Sequence, residues 1–163
     1  MFLLDANVFI EAHRFYYAFD LVPSFWAWLE EKFRSGEVCS VQRVRDELLH
    51  KDKEPDRLVD WVQKLDKTFW VAPGEQTLNE LQLIARWAYA PEREYRSAAV
   101  EEFLGSADLY LIAEAAAQGA TVVTREQPAP HAQKRIKIPD VCLAHGVSLL
   151  APFEAFRQLG MRL

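Results

Sequence analysis

Cysteine is nearly missing from this 163-residue chain, which holds only Cys39 and Cys142, far apart in sequence. Two thiols are too few for a disulfide framework or a four-ligand zinc site. They suit a reducing cytoplasm, and both read as small core hydrophobes. Glycine is scarce, at six residues, and no period of about 20 to 50 residues recurs, which sets aside collagen and solenoid architectures. A long apolar run is absent too. The stretch at the amino end is interrupted by Asp5 and Glu11, well short of the roughly 18 residues needed to cross a bilayer. No basic segment precedes it, so neither a membrane span nor a signal peptide is expected. Positive charge is also lacking, since 19 Lys+Arg against 24 Asp+Glu leave −5. Binding to nucleic acid by bulk electrostatics is thereby excluded, and any such binding needs a local basic surface or bound cations.

What the chain does have is apolar mass. Half of it is hydrophobic, with five Trp, ten Phe and five Tyr. A chain of this length buries roughly 70% of its unfolded surface, so these rings are first of all core material. One compact soluble domain over residues 1–163 is expected, because no linker or low-complexity segment divides it.

Strands and helices alternate along the sequence. Met1–Leu4 is a short, wholly apolar run that stops at Asp5-Ala6-Asn7, as a buried strand does with a carboxylate at its carboxyl end. Pro23 opens a helix with Phe25, Trp26, Leu29 and Phe33 on one face, and Gly36 closes it. Val38–Ser40 reads as a second strand, followed by a helix over Val41–His50 with Glu47 beside its apolar stripe. Lys51–Asp56 is a charged connection, and Pro55 starts a helix carrying Leu58, Trp61, Val62 and Leu65. Thr77-Leu78-Asn79-Glu80 has the form of a capping box. Pro91–Arg96 is a second charged connection, followed by a short helix ending near Gly105. Ser106 then caps a helix with Asp108 in its first turn and Gly119 as its stop. Ala120–Thr124 is the clearest strand, Gln127–Lys134 a loop, Pro139 the start of a helix to about His145, Ser148–Leu150 a last strand, and Pro152 the start of a terminal helix. This alternation predicts an α/β fold, a central mainly parallel sheet covered on both faces.

In such a sheet ligands collect outside the carboxyl ends of the strands. Asp5, Glu47, Asp108 and Glu126 fall at positions compatible with that edge, and Asp140 stands at another helix start. An acid in a first helical turn is ordinary dipole complementation, and Glu47 equally suits a solvated face beside Arg45. Asp5 is harder to read as surface, because it directly follows an apolar strand. Four carboxylates about 6 Å apart at an effective dielectric of about 20 repel by roughly 3 kcal/mol per pair, or up to about 17 kcal/mol together. That exceeds the stability of a typical domain. If they converge, oxygen donors of this kind call for Mg²⁺ or Mn²⁺ rather than zinc, and such ions activate water and hold a phosphodiester.

Read in order, Leu3-Leu4-Asp5-Ala6-Asn7-Val8-Phe9, Val44-Arg45-Asp46-Glu47-Leu48, Ala107-Asp108-Leu109-Tyr110-Leu111-Ile112-Ala113 and Gly119-Ala120-Thr121-Val122-Val123-Thr124-Arg125-Glu126 resemble the motifs of PIN-domain ribonucleases. The resemblance runs nearly end to end, and within that superfamily it is nearest to a branch related to the toxin nucleases of toxin–antitoxin pairs. It implies a three-layer α/β/α sandwich and Mg²⁺- or Mn²⁺-dependent cleavage of single-stranded RNA by activated water, leaving a 5′-phosphate and a 3′-hydroxyl. By matched position, Asp5, Glu47 and Asp108 are the first three acidic motif residues and Glu126 fills the fourth. Asp5 and Asp108 bind the metal directly, while Glu47 and Glu126 complete the shell or act through water. Asn7 orients the first carboxylate, and Thr124 hydrogen-bonds within the fourth motif. Glu126 departs from the pattern, since Asp or Asn is more usual after Thr-Arg, and Asp140 is the alternative oxygen donor. A cognate antitoxin and a homodimer are implied by the resemblance alone.

Phosphate contacts are assigned to Arg43, Arg45, Lys134, Arg135 and Lys137, and an entrance lined by His13, Arg14, Tyr16 and Tyr17 is expected to stack on bases. Two other classes stay open. An aspartyl-nucleophile phosphotransferase wants a second Asp two residues after the first, where this chain has Asn7. A non-catalytic module that binds RNA or a partner would keep the fold without cutting.

Overall fold

The computed structural model describes residues 1–50 and 56–162; the expected connection over 51–55, with Pro55 as a helix start, lies outside the described residues. Five short strands, β1 (Phe2–Leu4), β2 (Val38–Val41), β3 (Trp70–Val71), β4 (Thr121–Val123) and β5 (Leu149–Leu150), form one sheet in the order β3-β2-β1-β4-β5. Every pairing is parallel, with Phe2 opposite both Val38 and Thr121. Leu3, Leu4, Val38, Val122 and Val123 are all but inaccessible to solvent, as parallel strands covered on both faces require. The result is the expected three-layer α/β/α sandwich.

The helices among the described residues are α1 (Ala6–Glu11), α2 (Pro23–Arg34), α3 (Gln42–His50), α4 (Arg57–Lys64), α5 (Glu75–Tyr89), α6 (Ser97–Gly105), α7 (Ala107–Gln118), α8 (Ile138–Ala144) and α9 (Pro152–Gln158). The two halves of the core differ in chemistry. One is aromatic: Phe9 of α1 meets Trp61 of α4, Phe69 and Trp70, and Phe25 of α2 meets Phe156 of α9. The other is aliphatic, built by α7, which packs on β1, β2 and β4 and against α5 through Leu111, Ile112, Ala113 and Ala115. Cys39 and Cys142 are buried and unpaired. Burial pushes their thiols up to about 11 and about 12, so they behave as the small hydrophobes expected.

Local structure adds to the expectations and corrects some of them. The chain turns directly into α1 after Asp5 and continues as a π-helical stretch over Ala12–Tyr16, a helix with no distinct apolar period in the sequence. Trp70–Val71 forms a strand where the sequence assigns no element. Asp56 caps α4 by accepting the Leu58 N–H at 2.9 Å. Helix α5 starts at Glu75, so Thr77 is not its cap but its third residue, accepting the Gly74 N–H at 3.1 Å. Ser106 does occupy the N-cap position of α7, but its hydroxyl donates backward to the Phe103 carbonyl at 2.7 Å. Gly119 ends α7 at φ +63° as expected, a left-handed conformation that glycine adopts without strain.

Candidate active site: an acidic cleft at the carboxyl edge of the sheet

Strands β1, β2 and β3 proceed outward on one side of the sheet, and β4 and β5 on the other, so the direction of winding reverses between β1 and β4. That reversal opens a crevice outside their carboxyl ends. Asp5 leaves β1 there and Thr124-Arg125-Glu126 leaves β4. The Asp5 N–H donates to the Val123 carbonyl at 3.1 Å, which pins the first acid to the neighbouring strand. The Thr124 hydroxyl donates to Asp5 Oδ2 at 3.0 Å and accepts the Glu126 N–H at 3.1 Å. Thr124 therefore ties two acidic motifs together, which is more than the expected bond within its own motif.

A cleft of about 690 Å³ opens at this point and is lined by Asp5, Asn7, Glu47, Asp108 and Glu126 together. Sequence-distant acids have thus been brought to one place. Asp5 is buried, and its carboxyl is raised to about 6, chiefly by loss of water. The Thr124 hydroxyl pulls it back, Glu126 pushes it up, the Asn7 main-chain N–H pulls it back and Glu47 pushes it up again. Asn7 thus acts on Asp5 through its backbone. Asp108, at the start of α7, is raised to about 7 by burial and then by Asp5, Glu126 and Glu47, with Arg135 acting in the opposite direction. Burial together with neighbouring acids is the signature of like charges sharing a poorly hydrated space.

Asp46, Glu101 and Glu102 line the same cleft, and sequence reasoning missed them. Arg43, Asp46, Glu47 and His50 all face it at helical spacing along α3, a signal that was readable. Glu101 and Glu102 reach it from α6, which only the packing of α6 beside α7 decides. Seven acids in the lining face two arginines, Arg43 and Arg135, so the cleft carries a formal excess as large as the −5 of the whole chain.

The remaining assignments divide. Glu126 is held firmly: it accepts the Ile138 N–H at 2.9 Å, Lys137 Nζ at 3.2 Å and Arg135 at 3.4 Å. Arg135 lines the cleft, whereas Lys137 and the exposed Lys134 do not. Arg43 lines it as well, its guanidinium lying over the Tyr110 ring at 4.6 Å. Arg45 lies outside the cleft, with its Nε buried, because it falls on the far side of α3 from Glu47. Asp140 is also outside; it accepts the Ala129 N–H with both oxygens, at 2.9 and 3.2 Å, and so shapes the loop after β4. His13 pairs with Asp56 at 3.0 Å, and Arg14 lines no part of the cleft. Tyr16 and Tyr17 line a separate groove of about 310 Å³ with Arg125 and Phe153.

Among the described residues no three His, Cys, Asp or Glu side chains already form a metal-ligand set; the acids share a cleft rather than a point. The chemistry of the donors nonetheless fits a hard divalent cation. They are carboxylates from separate elements, two of them buried enough to resist ionisation, with only Arg43 and Arg135 to oppose them in the lining.

Fold and site together define an all-parallel α/β protein with an acidic crevice at its topological switch point. The chain belongs to the family described as a domain of unknown function, DUF4411, whose model matches residues 2–163. No curated protein and no solved structure matches it.

Proposed function

We propose that this chain is a Mg²⁺- or Mn²⁺-dependent endoribonuclease that cuts single-stranded RNA, the activity implied by its resemblance to PIN-domain ribonucleases. The observation that carries the reading is the convergence of Asp5, Glu47, Asp108 and Glu126 on one cleft, where burial, then Glu126 and Glu47, raise Asp5, and burial, then Asp5, Glu126 and Glu47, raise Asp108. Asp5, Asp108 and Glu47 would hold the cation. When bound, it would neutralise phosphate charge and activate water. Glu126 braces the site, because its oxygens are engaged by Ile138, Lys137 and Arg135. Thr124 orients Asp5 by donating to its Oδ2, and Arg43 and Arg135 offer the phosphate backbone its contacts. Deprotonation of Asp5 and Asp108 is required before either can serve as a ligand, so activity rises from mildly acidic to neutral pH.

The test is cleavage of labelled single-stranded RNA with Mn²⁺ or Mg²⁺. EDTA abolishes it, Asp5→Asn or Asp108→Asn removes at least about 10²-fold of the rate, and the products carry 5′-phosphates. Full activity in either variant would end the proposal, and RNA binding without any cutting would select the non-catalytic module. Within the same reading the chain is the toxin half of a toxin–antitoxin pair, so its unpartnered expression arrests growth and the Asp108→Asn variant does not.

A further inference from the structure

Beside the acidic cleft lies a smaller pocket of about 210 Å³, lined by Val71, Pro73, Thr77, Tyr110 and Glu114. Arg43 and Asp46 line both cavities, so the two are neighbours across α3. The pocket is small beside the roughly 300–1,000 Å³ of sites for drug-sized ligands and suits a single planar ring system.

Its distinguishing group is Glu114, a carboxylate 3% exposed in the middle of the aliphatic helix α7. The proposed chemistry of the cleft makes no use of it. A buried carboxylate is expected to be paired with a cation, yet among the described residues no cation makes an ion pair with it. Its hydrogen-bond partner is the buried Thr77 hydroxyl, at 2.5 Å. Arg43 lines the same pocket but lies over the Tyr110 ring and donates to the Tyr110 hydroxyl at 3.3 Å instead. The pocket therefore combines a buried carboxylate in its lining, one oxygen of which takes the Thr77 hydroxyl, an aromatic wall with a guanidinium over it, and apolar side chains from Val71 and Pro73.

We infer that this pocket seats a guanine base of the RNA strand whose backbone runs through the acidic cleft, and that Glu114 selects it. The inference rests on the single-stranded RNA reading above. Guanine alone among the four bases presents two adjacent N–H donors on its Watson–Crick edge, matching the two acceptor oxygens of a carboxylate. Adenine and cytosine present one donor beside an acceptor, and uracil one donor between two acceptors, so each sets a lone pair against the carboxylate. The Tyr110 ring and the Arg43 guanidinium supply stacking planes of the kind that hold splayed-out bases.

Binding is measured with Ca²⁺ in place of Mg²⁺ or Mn²⁺, so that a cation neutralises the cleft while no cutting is expected, by fluorescence anisotropy of oligouridylates that carry one central guanosine, inosine or adenosine. Guanosine is expected to bind roughly 10- to 100-fold tighter than adenosine, with inosine, which keeps the ring N–H but lacks the exocyclic amine, in between. In Glu114→Gln, whose amide retains an acceptor for Thr77, the preference collapses while affinity for the all-uridine strand is unchanged. Equal affinities for the three strands in the unaltered chain overturn the inference without recourse to any variant, as does a guanosine preference that survives Glu114→Gln. An arginine-containing peptide that binds tightly and loses affinity in Glu114→Gln, while RNA shows no base preference, would assign the pocket to a protein guanidinium and likewise overturn it. Guanosine preference without metal-dependent cutting would leave this inference standing and the nuclease reading fallen; cutting without preference would do the reverse.

Discussion

The Thr124 hydroxyl donates to Asp5 Oδ2 at 3.0 Å across 119 residues of chain and simultaneously accepts the Glu126 N–H at 3.1 Å. It is the one neutral side chain that eases the ionisation of Asp5, against burial and two other acids. Thr124→Val removes the donor and strands both partners in a buried setting. We expect a stability loss of about 1–3 kcal/mol and an acid limb of the pH–cleavage profile displaced upward. Thr124→Ser, which keeps the hydroxyl, should restore the profile; a serine variant as impaired as valine would show that the methyl packing, not the bond, was responsible.

The raised carboxyls make stability depend on pH in a definite direction. Asp5 and Asp108 sit at about 6 and about 7 in the folded chain, against roughly 4 when unfolded. Between those values the folded state binds more protons, so stability falls as pH rises from about 4 to 7 and levels off above. Asp5 alone corresponds to about 3 kcal/mol. His145, lowered by burial, acts oppositely below its ordinary value of about 6.5. In EDTA the melting temperature should drop by roughly 6–12 °C between pH 5.5 and 8. Asp5→Asn and Asp108→Asn should flatten the slope and be more stable than the unaltered chain at pH 8. Mg²⁺ or Mn²⁺ should recover stability at pH 8 and do little at pH 5.5. A melting temperature that climbs with pH in EDTA would contradict the linkage.

Phe9, fully buried in α1, touches Trp61, Phe69 and Trp70. It joins the helix that leaves Asp5 to the aromatic layer under the sheet. Phe9→Ala should cost about 3–5 kcal/mol in urea unfolding, and Phe9→Leu clearly less. Because α1 begins directly after Asp5, the alanine variant should also weaken metal-dependent stabilisation at pH 8. An unfolding midpoint within experimental error of the unaltered chain would show that the aromatic layer repacks around the gap.

Much of this protein was legible along the chain. The apolar run ending in Asp5, the β-branched run Thr121–Val123 and the stop at Gly119 each declare a buried strand or a helix end through short-range rules. The parallel sheet followed from their alternation with helices. The α1 and π-helical segment was not legible, because Ala6–Tyr16 mixes rings, acids and small residues without a distinct apolar face, and its packing against α3 and the aromatic layer holds it in place. The two-residue strand β3 was too short to show a period of its own; it exists because β2 offers it a partner.

The candidate site divides along the same line. Asp5 and Asp108 announced themselves by standing at the ends of apolar elements, and the polar face of α3 at Arg43, Asp46, Glu47 and His50 was written in its spacing. Glu101 and Glu102 gave no such sign, and Asp140 gave a misleading one, since a helix-start acid serves equally to fasten a loop, as it does with Ala129.

By itself, then, the sequence determined which segments are strands and helices and that acids stand at several of their ends, because those preferences act over a turn or two of chain. Which acids meet, and that Glu114 is buried against Thr77 beside them, was decided only when the order β3-β2-β1-β4-β5 placed distant segments side by side. Electrostatic coupling depends on separation in space, and no rule of local spacing contains that distance.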